Sequence, residues 1–344
     1  MNPLRDLIAT IKAGTELAPQ QVLAVTDFLI DPAASDCDRL SILDSWYRRG
    51  PTPGELAELA RSFVDLAVES DSPQRDRGSV AFVAQPSDGF DFATLVMLTI
   101  ASTGLKVVSY GDAGFTAGSC QQSLLAGLGY DLRAPKARIR AGLSDLGYAY
   151  YPNRTFNPAF ARLSLLGSSL APSGCKTILE ILEPMVNPGA ADSIVIRCRS
   201  PQTTDLLSDA LQSAGWNSGL VLSSVASSFG SPGQHMSQAC DHVRGFGRLR
   251  AICGCWEAFE FGINPSRLAD LSRYGVVKLS SAKSLLAGGA PDGIVDLIAL
   301  DAAVAMWVAG RTAAVSDGLL FCRELLLGGE VARLADRTRD FFSQ

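Results

Sequence analysis

Hydrophobic residues follow two different patterns along the chain. In the first 70 residues they recur at helical spacing, as at Leu56, Leu59 and Phe63. A helix start precedes this face at Thr52-Pro53-Gly54-Glu55, where threonine caps, proline suits the first turn and glutamate bonds back to the cap amide. This pattern predicts a helical N-terminal domain over residues 1–72.

From about Ser79, short apolar runs alternate with helical segments. Such alternation predicts an α/β domain with a mostly parallel central sheet, here residues 73–344. Helices near residues 160–182 are expected to pack with the helical domain. The predicted strands are Val80–Ala84, Lys106–Val108, Ser193–Cys198, Gly219–Leu222 and Ala251–Phe259, and a loop is expected over 223–238.

Composition narrows the class of protein. The chain has 344 residues, of which 47% are hydrophobic and 19% charged, with a net charge of -5. A chain of this length buries a large core, and its acidic balance disfavours general affinity for nucleic acid or anionic membranes. The N-terminus lacks the order of a signal peptide, and Asp301 interrupts the most apolar late run. We expect a cytoplasmic protein that does not enter membranes.

Eight cysteines are scattered mostly among apolar neighbours, which predicts reduced, buried thiols. One span concentrates metal-type ligands. Its members are His235, Cys240, His242, Cys253 and Cys255. Their spacing matches no standard zinc pattern, so we predict a surface loop beside a core strand rather than a metal centre, and a metal site stays the alternative.

Two predicted strands end in turns that face the same edge of a parallel sheet. Residues 85–89 follow the first strand and residues 109–112 follow the second. A turn that holds a diphosphate uses successive glycines and commonly a lysine, and neither turn has them. Two readings stay open, and the first is favoured: the turns have drifted in a vestigial cleft without activity, or the cleft is retuned for another ligand. In the second reading Asp88, Asp91 and Asp112 together repel phosphate and favour a cationic or neutral polar ligand.

Several segments, in order over nearly the whole chain, resemble anthranilate phosphoribosyltransferases and the related glycosyltransferase and pyrimidine nucleoside phosphorylase group. The matching segments are residues 50–57, 104–108, 124–129, 176–188, 299–310 and 323–325. The resemblance implies a helical bundle joined to a large α/β domain, with a ligand cleft between them. It also implies a homodimer formed through the helical domain, and a transferase that uses phosphoribosyl pyrophosphate and Mg²⁺.

The functional signatures of that family are altered. The glycine-rich pyrophosphate turn is replaced at residues 84–89, the Asn-Ile-Ser-Thr signature keeps Thr94 alone, and Lys-His-Gly-Asn becomes Ser109-Tyr110-Gly111-Asp112. The paired metal carboxylates fall at residues 224–230, which contain none. Lys176 stands for the arginine that contacts anthranilate. By this resemblance the ligand-cleft candidates are Asp88, Gly89, Asp91, Thr94, Ser109, Tyr110, Gly111, Asp112, Thr116, Ser119, Asn157 and Lys176.

Loss of one donor to a developing negative charge costs about 10²–10³ in rate. We therefore predict a diverged family member that lacks standard Mg²⁺-dependent chemistry and binds a small molecule or a protein. No catalytic residue, metal ligand or cofactor is assigned; phosphoribosyl pyrophosphate and Mg²⁺ enter if the resemblance outweighs the lost motifs. One alternative is a phosphoribosyl or glycosyl transferase with an altered donor or acceptor, using Ser109, Thr116, Ser119 and Lys176. The last is nucleic-acid binding through the basic residues at 133–140 and 244–250.

Overall fold

A computed structural model describes most of the chain. The described residues are 3–67, 76–85, 92–111, 120–166, 177–225, 240–268 and 279–344. They form a helical N-terminal region and an α/β part built on one seven-stranded sheet. Among these residues no helix is long and apolar enough to cross a membrane.

The N-terminal region contains the predicted helices. They are α1 (Pro3–Lys12), α2 (Pro19–Ile30), α3 (Asp36–Arg49) and α4 (Pro53–Asp65). The predicted capping box at Thr52 is present: its hydroxyl accepts from the Glu55 amide at 3.2 Å, and the Glu55 carboxylate accepts from the Thr52 amide at 2.8 Å. Glu55 also accepts from the Leu17 amide at 2.7 Å and the Trp46 indole at 3.1 Å, so this buried carboxylate ties three segments together.

The sheet has the order β3-β2-β1-β4-β5-β6-β7. Strands β1 to β5 run parallel, and β6 and β7 are added antiparallel. Their bounds are β1 Asp76–Ala84, β2 Val107–Gly111, β3 Tyr148–Pro152, β4 Ala191–Arg197, β5 Ser218–Val225, β6 Cys240–Gly247 and β7 Cys253–Glu257. The predicted class, helices plus a mostly parallel sheet, is confirmed.

Neighbouring residues of β1 enter two different cores. Val80 and Phe82 pack into the core that contains the long buried helix of residues 292–308, whereas Ala81 and Val83 pack with Trp46 and the other N-terminal helices. Because side chains alternate along a strand, the helical region covers one face of the sheet and the C-terminal helices cover the other. A sheet buried on both faces explains why its strands read as continuous apolar runs.

The remaining helices surround this sheet. Between β1 and β4 they are α5 (Ala93–Ser102), α6 (Cys120–Gly127), α7 (Lys136–Asp145), α8 (Asn153–Phe156), α9 (Pro158–Leu163) and α10 (Ile178–Leu182). After β4 they are α11 (Pro201–Ser213), α12 (Pro265–Leu268), α13 (Leu279–Leu286), α14 (Asp292–Val308), α15 (Val315–Leu327) and α16 (Glu330–Ser343). Within the described ranges, 3₁₀ turns lie at Ser164–Leu166, Glu183–Met185 and Ala258–Phe261.

Two strands were not predicted from the sequence pattern. The tyrosine-rich β3 was not among the predicted strands, and it is a fully buried strand at one edge of the sheet. Strand β6 has buried and half-buried residues mixed with glycine and charge, so it shows no simple alternation. The predicted strand at 251–259 is shorter, because residues 258–261 form a 3₁₀ turn.

Candidate functional site at the carboxyl edge of the sheet

The carboxyl ends of β1, β4 and β5 lie side by side. Ala84 of β1 is in register with Arg197 of β4, and the Gln85 amide donates to the Arg197 carbonyl at 2.9 Å. On its other side β4 pairs with β5, whose residue Ser224 lies near the end of that strand. Open α/β sheets bind ligands in the crevice outside the carboxyl ends of their parallel strands, so this edge is the candidate site.

An ionic cluster occupies this edge. Each of the three guanidinium nitrogens of Arg197 donates to a carboxylate: Nε to Asp301 at 2.9 and 3.0 Å, Nη1 to Asp241 at 2.7 Å, and Nη2 to Asp301. Asp241 also accepts from the Ser224 hydroxyl at 2.9 Å. We call Arg197, Asp241 and Asp301 the Arg197 cluster. It joins the end of β4 to the hairpin β6–β7 and to helix α14.

The Arg197 cluster carries more negative than positive formal charge. Burial lowers the pKa of Arg197, but the two carboxylates outweigh burial and raise it, so the guanidinium stays charged. Burial raises the pKa of Asp301, although the adjacent Arg197 opposes this. With 21% of the arginine, 18% of Asp241 and 17% of Asp301 exposed, the pairs are mostly shielded from water.

Thr94 and Ser109 are candidates that belong to one buried polar chain. The amide Nε2 of Gln121 donates to the Ser109 hydroxyl at 2.9 Å, and Thr94 donates to the Gln121 carbonyl at 3.2 Å. Both hydroxyls are fully buried. The chain therefore fixes the end of β2 to helices α5 and α6, and Gly111 closes the same strand.

Tyr110 lies inside the core facing the N-terminal helices. Its hydroxyl donates to the Pro184 carbonyl at 2.8 Å, and 1% of the residue is exposed. Burial raises the pKa of its phenol well above the ordinary value, with a further rise from Glu183. It is a neutral core side chain, rather than a group open to a planar ligand.

Asn157 connects the α/β part to the helical region. It caps helix α9 by accepting from the Ala159 amide at 2.9 Å, and its Nδ2 donates to the Phe63 carbonyl at 2.8 Å. With 1% of the residue exposed, it holds α9 against the end of α4. Its contacts give it a structural role.

The other candidates lie outside the described residues. These are Asp88, Gly89, Asp91, Asp112, Thr116, Ser119 and Lys176. Their roles remain predictions. Of the described residues nearest to them, Gln85 follows β1 and Gly111 ends β2.

The basic residues near 133–140 interact with the chain's own aromatic rings. The Arg138 guanidinium lies 3.8 Å from the centre of the Phe341 ring and donates to the Phe341 carbonyl. Lys136 lies 5.6 Å from the Phe156 ring. Farther along, Arg244 pairs with acidic residues of helix α11. These contacts explain the basic residues as parts of the protein surface without a nucleic-acid ligand.

The cysteine and histidine span forms part of the β6–β7 hairpin, except His235, which lies outside the described residues. His242 contacts Asp205 at 2.9 Å. Within the described ranges no group of three metal-type side chains could hold an ion. The prediction of buried thiols is wrong for Cys37, on helix α3, and for Cys253 and Cys255, which are exposed because β7 is an edge strand.

Residues 87–332 match the glycosyl transferase family, a/b domain. The chain belongs to this family. Anthranilate phosphoribosyltransferase from Thermus thermophilus is 27% identical over 96% of this chain and 98% of its own length. The crystal structure of anthranilate phosphoribosyltransferase from the same species aligns with a TM-score of 0.79 and 25% identity, covering 98% of this chain and all of that one.

The fold is shared more widely in the family. Anthranilate phosphoribosyltransferase from Saccharomyces cerevisiae in complex with PRPP and Mg aligns with a TM-score of 0.76 at 17% identity, covering 99% of this chain and 98% of that one. The described edge of the present chain carries the Arg197 cluster at this position. Its arginine is engaged by two carboxylates, and the Ser224 hydroxyl is engaged by Asp241.

Sequence reasoning missed the Arg197 cluster. The sequence did contain a signal for it. Arg197 ends an otherwise apolar strand and Asp301 lies inside an apolar helix, and a charged residue in either place requires a partner. The two residues pair although more than 100 residues separate them, because β4 lies over helix α14. No local sequence pattern shows that packing.

Proposed function

We propose that this member of the glycosyl transferase family binds a small neutral or cationic molecule at the carboxyl edge of its sheet and does not perform Mg²⁺-dependent phosphoribosyl transfer. The observation that carries this proposal is the Arg197 cluster. An arginine at this edge would ordinarily serve an anion, and here its three nitrogens serve Asp241 and Asp301.

The physical argument concerns charge. Displacing pyrophosphate builds negative charge on the leaving group, which cations and hydrogen-bond donors must stabilise. The described edge supplies a surplus of carboxylates, and the sequence adds Asp88, Asp91 and Asp112 just beyond β1 and β2. Carboxylates near a phosphate raise its energy, whereas they lower the energy of an amine or a neutral polar group.

The transferase alternative draws less support from the described residues. Of its four polar contacts, Ser109 is buried and already accepts from Gln121. Thr116, Ser119 and Lys176 lie outside the described part of the chain. A glycosyl donor without a diphosphate would still be compatible with an acidic edge. The titrations described next therefore include a nucleoside.

Calorimetry tests the proposal directly. The protein is titrated with phosphoribosyl pyrophosphate in the presence of MgCl₂, and separately with ribose 5-phosphate, a nucleoside and a diamine. We expect no heat from the two phosphates and measurable heat from the nucleoside or the diamine. Micromolar binding of phosphoribosyl pyrophosphate, or anthranilate consumption in its presence, would contradict the proposal.

A pair of variants tests whether charge is the cause. Asp241→Asn/Asp301→Asn removes both negative charges beside Arg197, so the charge of its guanidinium is no longer balanced and attracts an anion. We expect pyrophosphate affinity to rise at least about tenfold, equal to about 1.4 kcal/mol. The control is Asp336→Asn, which removes one charge from an exposed surface pair. Equal responses of the two variants would show that net charge, rather than the Arg197 cluster, controls binding.

We also propose a homodimer formed through the helical region. Three large apolar side chains are exposed on this region or beside it, with 44% of Leu23, 46% of Val64 and 68% of Leu165 accessible. A contiguous exposed apolar patch is typical of a surface that another subunit covers, and the proposal is that these three side chains contribute to one. Sedimentation analysis should give a dimer, and Leu165→Glu should shift it to monomer; an unchanged dimer would place the interface elsewhere.

A further inference from the structure

Two thiols approach each other on the exposed hairpin β6–β7. The Cys240 thiol donates to the sulfur of Cys255, with 3.3 Å between the two Sγ atoms. The residues lie on the same face of the hairpin, because Cys255 is in register with His242, two positions from Cys240. Both cysteines are free, and neither belongs to the Arg197 cluster.

We propose that Cys240 and Cys255 form a thiol–disulfide site that reacts with a hydroperoxide or a small-molecule disulfide. Cys255 is exposed and is the attacking thiol, whereas Cys240 is half-buried and is the resolving thiol. Burial, with the hydrogen bond to Cys255, raises the pKa of Cys240 to about 11, which keeps its proton on sulfur and available to the Cys255 sulfur.

The reaction balances in two steps. The Cys255 thiolate attacks one oxygen of the hydroperoxide, which gives a sulfenic acid and releases an alcohol or water once a proton is taken up. The Cys240 sulfur then attacks the Cys255 sulfur, the S–O bond breaks, and water leaves with the thiol proton. Two thiols are oxidised by two electrons and the peroxide is reduced. With a small disulfide, the intermediate is a mixed disulfide and the leaving groups are two thiols.

The backbone around the pair can adjust to a covalent bond. The two sulfurs must approach by about 1.3 Å to reach disulfide length. Cys240 is the first residue of β6, at one end of the strand. On the other strand, Gly254 has a φ of +132° and a Cβ added there would meet nothing within 4 Å, so neighbouring atoms do not crowd this edge strand.

The structure also explains why a neighbouring thiol is a poor partner. Cys253 lies two residues from Cys255 on the same face, but its register partner is Arg244 rather than Cys240. It is equally exposed. Cys253 is therefore a matched control for accessibility, and Cys37, exposed on helix α3, is a second one.

Peptide mapping tests the site. Trypsin places Cys240 in the peptide of residues 200–244 and Cys255 in the peptide of residues 251–267. After treatment of the full chain with hydrogen peroxide or oxidised glutathione, the two peptides should be joined and two thiols lost per chain, with reversal by dithiothreitol. The joined product should persist in Cys253→Ser and Cys37→Ser.

Single variants separate the two roles. Cys240→Ser should lose the joined peptides and accumulate the sulfenic acid on Cys255, which dimedone traps; Cys255→Ser should leave Cys240 largely unmodified. Circular dichroism of each reduced variant checks that it is folded. If a variant does not fold, the peptide mapping of the wild-type chain still tests the proposal. Joined peptides that persist in Cys255→Ser, a product formed between two chains, or oxidation of Cys37 ahead of Cys255 would each overturn the proposal.

Discussion

Replacing Arg197 with methionine should destabilise the protein by leaving two carboxylates without their cation. At a separation of about 4 Å and an effective dielectric constant of about 20, each pair is worth about 4 kcal/mol before the cost of desolvation. Removing one partner of a buried pair costs about 3–5 kcal/mol. Because about a fifth of each side chain is exposed, we take the lower end, about 3 kcal/mol. For a urea dependence of about 3 kcal/mol/M, the unfolding midpoint should fall by about 1 M.

The pH dependence of the free energy of unfolding gives this prediction a second, independent test. The pKa of Asp301 is raised in the folded protein because burial outweighs Arg197, and loss of the arginine raises it further. A group whose folded pKa lies above its unfolded value of about 3.9 stabilises the fold below that value, and this contribution is lost as pH rises through the folded pKa. The deficit of Arg197→Met should therefore be smaller at pH 4.5 than at pH 7.5.

The assay is urea unfolding followed by circular dichroism at both pH values. The matched control is Arg197→Met/Asp301→Leu, which also removes the carboxylate that the arginine contacts through two nitrogens. It should recover part of the lost stability, since apolar residues often replace buried ion pairs without loss, whereas Asp241 still lacks its cation. A deficit below about 1 kcal/mol, or one that is equal at both pH values, would refute the reasoning.

Further predictions concern the helical region and the sheet. Glu55→Gln should lower the free energy of unfolding by about 3 kcal/mol and make that free energy less dependent on pH in acid. Although burial raises the pKa of Glu55, its hydrogen bonds lower it overall. The carboxylate therefore stabilises the fold above about pH 4.5 and does so less as pH falls. Tyr110→Phe should cost about 1–3 kcal/mol by leaving the buried Pro184 carbonyl without a donor, with ligand binding unchanged. Gly219→Ala should lower the melting temperature, because its Cβ would meet a backbone oxygen at 2.5 Å, whereas Gly54→Ala meets ordinary contacts at 3.5 Å and should not. Thermal and urea unfolding check all three, and a Gly219→Ala melt matching that of Gly54→Ala would contradict the crowding.

The fold followed from local patterns where burial is regular. The Thr52 start follows from its capping residues, and the face from Leu56 to Phe63 follows from helical spacing. Strands β1 and β4 were predicted because each is a short continuous apolar run. Strand β3 was missed because its buried tyrosines and Pro152 resemble a loop or a pocket wall.

The site was harder to predict, because its interactions join distant segments. The positions of Ser109 and Thr94 near the strand ends agree with the sequence, but their bonds to Gln121 depend on how helices α5 and α6 pack. Likewise, the Arg197 cluster needs β4, β6 and α14 to meet. Such contacts are set by tertiary packing, which no local spacing encodes.

The position of β1 in the middle of the sheet has a consequence for the order in which the protein folds. Its partner β2 follows within about 30 residues, but Val80 pairs on its other side with Ser193, about 110 residues later. During synthesis, one edge of β1 therefore stays without a neighbour until β4 has left the ribosome. Strands β5, β6 and β7 pair with strands that follow directly in the chain, so these pairs form without a distant segment. We expect this open edge to be where slow refolding and aggregation compete.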